Sequence, residues 1–455
     1  MSFAQRITRA VLFLAPFFTF LAAGIAPASA QPISLIRDTE IERVLHSYED
    51  PILKVAGLDP AAVKIYIVND PSINAFVAEG QNIFINTGLL MQLKTPNQVI
   101  GVMAHETGHI AGGHLIRDTA AIQKASIPML IGMVVGIAAM VAGAGDAGMG
   151  AIMMGQQAAQ SQFMSFSRVQ EATADQMGQR FLRETHQSGR GMLEVFEKFA
   201  HEEAGMKMDP LYMSHPASRE RIDLLQQLVD ASPYRDVKDS PEALHEFHMI
   251  QAKLAGYLSD PATVLTRYPP SDTSEEARYA RAMAYFRMPD LKLALSEIES
   301  LVQQEPKNPY FWEVQGQIYV DMSQPEKGIA PYQTAVNLLP DAPLLRISLA
   351  AAELATERPA YAKPALDNLN VALQQENDNT FGWYEAAQAY STLGNQPMAD
   401  LSTAERYYSA GAMPMAAQFA RRAEASLTKG TPDWERANDI LIAVPQEEKE
   451  QQAGQ

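Results

Sequence analysis

Residues 95–113 read TPNQVIGVMAHETGHIAGG. Thr95 suits a helix N-cap, Pro96 the first helical position, and Gln98 completes a capping box, so the segment predicts a well-started helix. Gly112-Gly113 predicts its stop. Within it lies His105-Glu106-Thr107-Gly108-His109. Two histidines at i and i+4 project from one helical face, close enough to bind one metal ion. Glu106 lies beside them, placed to take a proton from water activated by that metal. Glycine at 108 disfavours a helix, which a purely structural helix has little reason to use.

A catalytic metal site of this kind needs a third protein ligand. Two candidates compete. His114 follows the second histidine just past the double glycine, one residue short of the six-residue spacing that a third histidine takes in metzincins, so a polar residue at a helix end is the favoured reading. Glu171 opens Glu171-Ala172-Thr173-Ala174-Asp175. Its spacing to Asp175 sets both carboxylates on one helical face. One can bind the metal while the other holds a ligand histidine by its second ring nitrogen. Taken alone, this pair reads as a solvated acidic face. About sixty residues after an H-E-x-x-H, the ligand reading is favoured.

Outward from the motif, residues 35–57 read as a helix, 63–68 as a strand, and 73–78 with 82–86 as a hairpin. Residues 127–143 are an apolar run of IPMLIGMVVGIAAMVAG. It sits at the bottom of the membrane-spanning length range and contains Pro128, Gly132, Gly136 and Gly143. We expect it to pack on the active site or touch a membrane surface; an integral-membrane protease is the rival reading. The AGAGDAGMG that follows is too glycine-rich for a stable helix and suits a movable lid. A polar helix is expected from about Gln156 past Arg183.

The C-terminal third repeats. Trp312, Gly316, Tyr319, Gly328, Tyr332, Ala335 and Pro340 hold the spacings of a tetratricopeptide repeat. Thirty-four residues earlier the same slots hold Arg278, Ala282, Tyr285, Ala294, Ile298, Leu301 and Pro306. A later unit starts at Trp383, with Ala387, Tyr390 and Ala399 in register. The unit between is degenerate, anchored weakly by Ala362 and Leu366. The expected fold is thus an α+β zinc metallopeptidase domain, mostly helical with a small sheet, followed by an all-α tetratricopeptide-repeat solenoid.

The 455 residues carry a net charge of −17 and contain no cysteine. An acidic surface repels phosphate backbones, so nucleic acid is not expected as a partner. The absence of cysteine excludes disulfides, thiolate metal sites and a cysteine nucleophile. Arg6 and Arg9, an apolar stretch from Val11 to Ile25 and Ala28-Ser29-Ala30 read as a signal peptide cleaved before Gln31. A bacterial periplasm is the simplest address. The expected partition is signal peptide 1–30, metallopeptidase 31–245, repeats 246–445 and a disordered tail 446–455.

His105–His114, the EATAD segment, and Ser214-His215-Pro216 with Arg219 and Arg221 together resemble the gluzincin family of CAAX prenyl endopeptidases and HtpX-type proteases. Asn74-Ala75-Phe76 and Phe84 to Leu90 resemble it too. The signal peptide and repeats narrow the resemblance to the BepA-type periplasmic chaperone-proteases. It implies that His105, His109 and Glu171 bind one zinc ion, that Glu106 is the base and that Asp175 supports a ligand. It also implies peptide hydrolysis in outer-membrane protein quality control. Clients would be unfolded or misassembled outer-membrane proteins, with the assembly machinery met through the repeats. His215 or Arg219 could donate to the oxyanion, or His215 could latch the site shut. The strand at Asn74–Ala78 could pair with an extended substrate. A chaperone or scaffold with minor proteolysis is the competing function.

Overall fold

Asp38 decides where the first helix begins. Its carboxylate accepts from the Ile41 amide at 3.0 Å, capping helix α1 (Thr39–Ala56), and Gly57 closes that helix at φ +77°. Leu35–Ile36, expected inside this helix, instead form a short strand β1, antiparallel to β2 (Ile65–Val68). An aspartate cap is worth about 1 kcal/mol, enough to fix a helix start against a two-residue extension. The computed structural model describes residues 34–78, 80–114, 145–205 and 219–453. The expected signal peptide, the apolar run 127–143 and His215 lie outside them.

The sheet has the order β1-β2-β4-β3, with β3 (Ala75–Ala78) and β4 (Asn82–Asn86) forming the expected hairpin and β2 pairing parallel with β4. Phe84 stacks on Tyr66 and on Phe76, with ring centroids 5.0 Å apart in each case. Such cross-strand aromatic pairs fix register on one face of a sheet. A short helix α2 (Thr87–Gln92) leads to α3 (Pro96–Ala111), which carries the H-E-x-x-H motif. Thr95 caps α3 as expected, while the Gln98 side chain reaches back one residue further than the capping box predicts, to the Lys94 amide. Gly113 lies at φ +63° and ends the segment.

Helix α4 (Gly145–Glu184) starts well before Gln156, so the glycine-rich stretch from 145 to 150 is helical rather than a loop. Once a helix is nucleated, each further residue adds a hydrogen bond for the fixing of one residue, and a long helix can absorb a few glycines. Helix α5 (Arg190–Gly205) packs on α3, and α6 (Arg219–Ala231) packs on α4 and α5. Helix α7 (Pro241–Leu258) runs through the expected boundary near 245. Its Phe247, Ile250 and Leu254 join the N-terminal core, whereas Met249 joins a core of the repeats. Buried Lys253 ties the two halves together, with Nζ 2.6 Å from Asp38 and 3.2 Å from Glu40, which also accepts from the Tyr279 hydroxyl.

After the short α8 (Pro261–Arg267), antiparallel helix pairs follow. They are α9 (Glu275–Arg287) with α10 (Leu291–Gln304), α11 (Pro309–Asp321) with α12 (Pro325–Leu338), and α13 (Pro343–Leu354) with α14 (Ala362–Gln375). Then come α15 (Thr380–Thr392) with α16 (Gln396–Ser409), and α17 (Met413–Ser426) with α18 (Pro432–Ala453). A Cβ at Gly316 would lie 2.7 Å from the Tyr332 ring, which is why that slot takes a small residue. The indoles of Trp312 and Trp383 each donate to the carbonyl six residues earlier, of Pro306 and Asn377. In the degenerate repeat Arg346 takes the same slot and donates to Pro340. The extra residues of that repeat form a 3-10 turn at Pro359–Tyr361. Helix α18 continues through most of the segment expected to be a disordered tail.

Candidate active site

Helix α3 places His105 and His109 one turn apart, and α4 lays Glu171 across them. His105 Nε2 is 3.1 Å from His109 Nε2 and 3.4 Å from a Glu171 oxygen, and His109 Nε2 is 3.5 Å from the other Glu171 oxygen. All three side chains are buried, and a donor atom from each lies within 4.8 Å of the others, so the group could hold a metal ion. Two imidazoles and one carboxylate are a donor set suited to zinc with an open coordination position.

Close helix contact makes this possible. A Cβ at Gly108 would lie 2.7 Å from the Ala174 carbonyl oxygen, and one at Gly178 would lie 3.1 Å from the Ala104 carbonyl. Glycine at 108, costly to a helix on its own, is therefore what lets α4 bring Glu171 to the histidines.

Behind the donors sits a polar layer. Asp175, fully buried, lies 3.0 Å from His105 Nδ1. Arg221 from α6 donates to both Asp175 oxygens at 2.8 Å and pairs with Glu171 at 2.9 Å. Its guanidinium lies 4.8 Å from the centroid of the Phe196 ring, which also packs edge-on against His105. Burial works against both charged forms here. It is outweighed at Asp175 by Arg221 and His105, which hold the carboxyl below its usual range. At His105 it is outweighed by Asp175 and Glu171, which lift the imidazolium to about 9. Such carboxylate–histidine pairs fix the ring and its tautomer for metal binding.

His114, read as a polar residue at a helix end, is not one of the three clustered donors. It is buried, and its Nδ1 lies 3.0 Å from His109 Nδ1, where it shares a hydrogen bond on the side of the ring away from the donor cluster. His114 thus stands to His109 as Asp175 does to His105. Arg219 opens α6 with its side chain exposed, while Arg221 two residues on turns inward.

Glu106 is buried beside the histidines. Below it is a residue that sequence reasoning missed. Glu49 on α1 is fully buried and accepts from the Thr107 hydroxyl. Burial pushes its carboxyl up to about 8, and the nearby Glu106 charge adds to that rise. The signal was present, since Glu49 interrupts the apolar stripe of Leu45, Ile52 and Leu53. The second His/Glu group among the described residues, His245 with Glu275 and Glu305, is half-exposed and far from this site in the chain.

Two histidines and a glutamate converging on one point, with a second glutamate alongside, define a metallopeptidase. Residues 36–229 match the family described as Peptidase family M48, and the chain carries a metallopeptidase domain of that family. The similarity runs further. The beta-barrel assembly-enhancing protease of Yersinia pestis is 23% identical over 408 residues, covering 88% of this chain and 83% of the relative. The Escherichia coli (strain K12) protein of the same description is also 23% identical, covering 87% and 81%. Metalloprotease LoiP of Escherichia coli (strain K12) is 31% identical over 173 residues, 38% of this chain and 64% of the relative. Among the described residues no helix is long and apolar enough to cross a membrane.

Proposed function

We propose that this chain is a periplasmic zinc endopeptidase, with accompanying chaperone activity, that degrades misfolded or stalled outer-membrane β-barrel proteins. In this reading residues 31–245 do the chemistry and the repeats from 246 onward recruit clients or the assembly machinery. The observation that carries it is the convergence of His105, His109 and Glu171 within 4.8 Å beside Glu106. The relatives named for β-barrel assembly support the client class.

One zinc ion held by these three residues would polarise a peptide carbonyl and lower the pKa of water toward about 7. Glu106 takes the proton from the attacking water and passes it to the departing amine. Asp175 keeps the His105 ring in the tautomer that offers Nε2, and Arg221 keeps Asp175 charged. Strand β3 stands at one end of the sheet order among the described residues, the position from which a strand could pair with an extended substrate. His215 completes the proposal as a donor to the oxyanion or as a latch, and residues 127–143 as a possible point of peripheral membrane contact.

Metal analysis paired with client degradation tests the reading. Glu106→Gln should retain one zinc per chain and lose peptidase activity by about a hundredfold or more, since an amide cannot accept the proton. His105→Ala, His109→Ala and Glu171→Ala should each lose zinc. Full zinc content in the Glu171 variant, or turnover by Glu106→Gln, would overturn the assignment of roles.

A further inference from the structure

Glu385 lies in the middle of helix α15 and is 8% exposed, between the buried Trp383 and Ala386. Among the described residues no hydrogen bond or ion pair reaches its carboxyl, and burial alone pushes it up to about 7. The neighbouring buried acids are treated differently. Asp400 pairs with Arg422 at 2.9 Å, and Glu405 pairs with Arg436. Glu385 faces a cavity instead.

The carboxyl lines a cavity of about 420 Å³ between α13 and α15. Ala351 and Leu354 form an apolar wall, and Tyr384, Gln388 and Thr392 line the α15 side. Glu357 and Arg358 line this cavity as well, and Arg406 packs on the Tyr384 ring; each guanidinium lies against a tyrosine ring rather than in an ion pair with Glu385. The Arg358 guanidinium lies 5.3 Å from the centre of the Tyr361 ring, and that of Arg406 lies 4.8 Å from the centre of the Tyr384 ring. A second cavity of about 240 Å³, between α15 and the next repeats, shares Tyr384 and Gln388 with the first.

We propose that the α13–α15 cavity binds one cationic side chain, arginine or lysine, of an extended polypeptide, with Glu385 as its counter-ion. The apolar wall covers the aliphatic stem of such a side chain while the charged end reaches the carboxylate. The volume falls in the ordinary range of ligand sites. Continuity with the second cavity favours a polypeptide over a small free amine, because the chain on either side of the anchored residue can follow α15. The inference rests on the reading that the repeats recruit polypeptides, and it is independent of the peptidase chemistry.

The test uses the full chain carrying Glu106→Gln, so that no probe is cleaved. Two fluorescein-labelled decapeptides of Gly, Ser and Val differ only at one central residue, arginine or its uncharged isostere citrulline. The arginine peptide should bind about tenfold tighter or more, and adding Glu385→Gln should erase that difference while leaving citrulline-peptide affinity unchanged. A thermal melt of the Glu385→Gln protein at or above that of its parent establishes that the loss is not unfolding. If it melts lower, Glu385→Asp replaces it and should weaken arginine binding while keeping the preference over citrulline. Equal binding of the two peptides, or an equal loss of both, overturns the proposal. So does the absence of arginine-peptide binding up to about 1 mM. Putrescine binding as tightly as the arginine peptide would make this an amine site and also overturns it. Failure of the zinc reading shows instead in metal content and in cleavage by the parent enzyme, neither of which enters this assay.

Discussion

From Ile41 in α1 to Leu254 in α7, the buried side chains of the peptidase half form a single connected cluster dominated by Ile, Leu, Val and Phe. Across the repeats, burial divides into several smaller clusters, each confined to neighbouring helices and richer in alanine. A connected core can hold a polar site at its centre and keep every donor in place, because any shift is resisted from all sides. A solenoid transmits strain only to its neighbours, which leaves each unit free to carry its own surface feature. On this view a buried charge should matter to the whole of the first half and only locally in the second.

Two buried arginines make the strongest test. Arg221 and Arg281 are 5% and 1% exposed, and each satisfies carboxylates. Arg221→Ala strands Asp175 and Glu171 without their cation, at a cost of about 3–5 kcal/mol, a large share of the 5–15 kcal/mol typical of a domain. Metal content should fall with it, since Asp175 no longer holds His105. Arg281→Ala removes a partner of Glu297 and of the Pro269 and Asp272 carbonyls. Its effect should appear as faster amide exchange in α9, α10 and the 268–274 turn, with metal content unchanged. Metal loss from the Arg281 variant would break the comparison.

Next in size is a pH effect. Glu49 has its carboxyl raised from 4.5 to about 8 in the folded chain. Between those values the folded state holds a proton that the unfolded state has released, so stability falls as pH rises through this window. The Glu49→Gln protein should lack this contribution to the slope. Relative to wild type it should gain on the order of 4 kcal/mol between pH 5 and pH 9, read from urea melts at both pH values. The buried acids of the repeats, Glu313 at about 8 and Glu353 and Glu385 at about 7, act with the same sign, so the difference between the two proteins isolates Glu49. An unchanged slope would mean that Glu49 is ionised and balanced by a cation.

A smaller effect compares two close helix contacts. Gly108 faces a backbone carbonyl, which cannot yield, whereas Gly316 faces the ring of Tyr332, which can turn. Gly316→Ala should cost about 1–3 kcal/mol and leave peptidase activity intact. Gly108→Ala should reduce metal content even where the melt changes little. Equal metal loss from both would show that the halves are strained as one body.

What the sequence disclosed follows the same division. The motif helix and the repeat anchors were legible because their information is local, in caps, an i,i+4 pair and a fixed 34-residue period. Glu171 was favoured as the third ligand because a carboxylate pair follows the H-E-x-x-H by about sixty residues, and the resemblance strengthened that reading. Asp175, Arg221 and His114 form the support of the donors, and their contacts join α3, α4 and α6. The i,i+4 spacing to Glu171 pointed to Asp175, but no spacing within one helix reports the contacts of Arg221 and His114. Leu35–Ile36 was read into a helix because a two-residue strand has no period of its own; its partner Ile67–Val68 lies thirty residues on. Glu49 was betrayed only by its place in the apolar stripe of α1, and Glu385 looks like a solvated helix position until another element covers it.

The smallest effect concerns contacts that span the two halves. Arg37 pairs with Glu376 at 2.7 Å, Arg43 with Asp341 at 3.5 Å, and Lys64 with Asp378, so the turns after α12 and α14 touch β1, α1 and the approach to β2. These side chains are largely exposed, and exposed pairs contribute about 0–1 kcal/mol each and are screened by salt. The buried Lys253 cluster, by contrast, sits where α7 meets α1 and α9 and has no water to compete with it. We therefore expect Arg37→Ala with Lys64→Ala to shift the melt by less than about 1 kcal/mol in total, an effect that 0.5 M salt should reproduce in the parent protein. Amide exchange in the 376–379 turn should nevertheless quicken, because that turn loses its ion pairs with Arg37 and Lys64 while the repeats keep their own cores. A loss above about 2 kcal/mol would show that the far repeats are fastened to the peptidase half as firmly as α9 is. The contrast between one connected core and a chain of small ones would then hold for their interiors but not for the assembled chain.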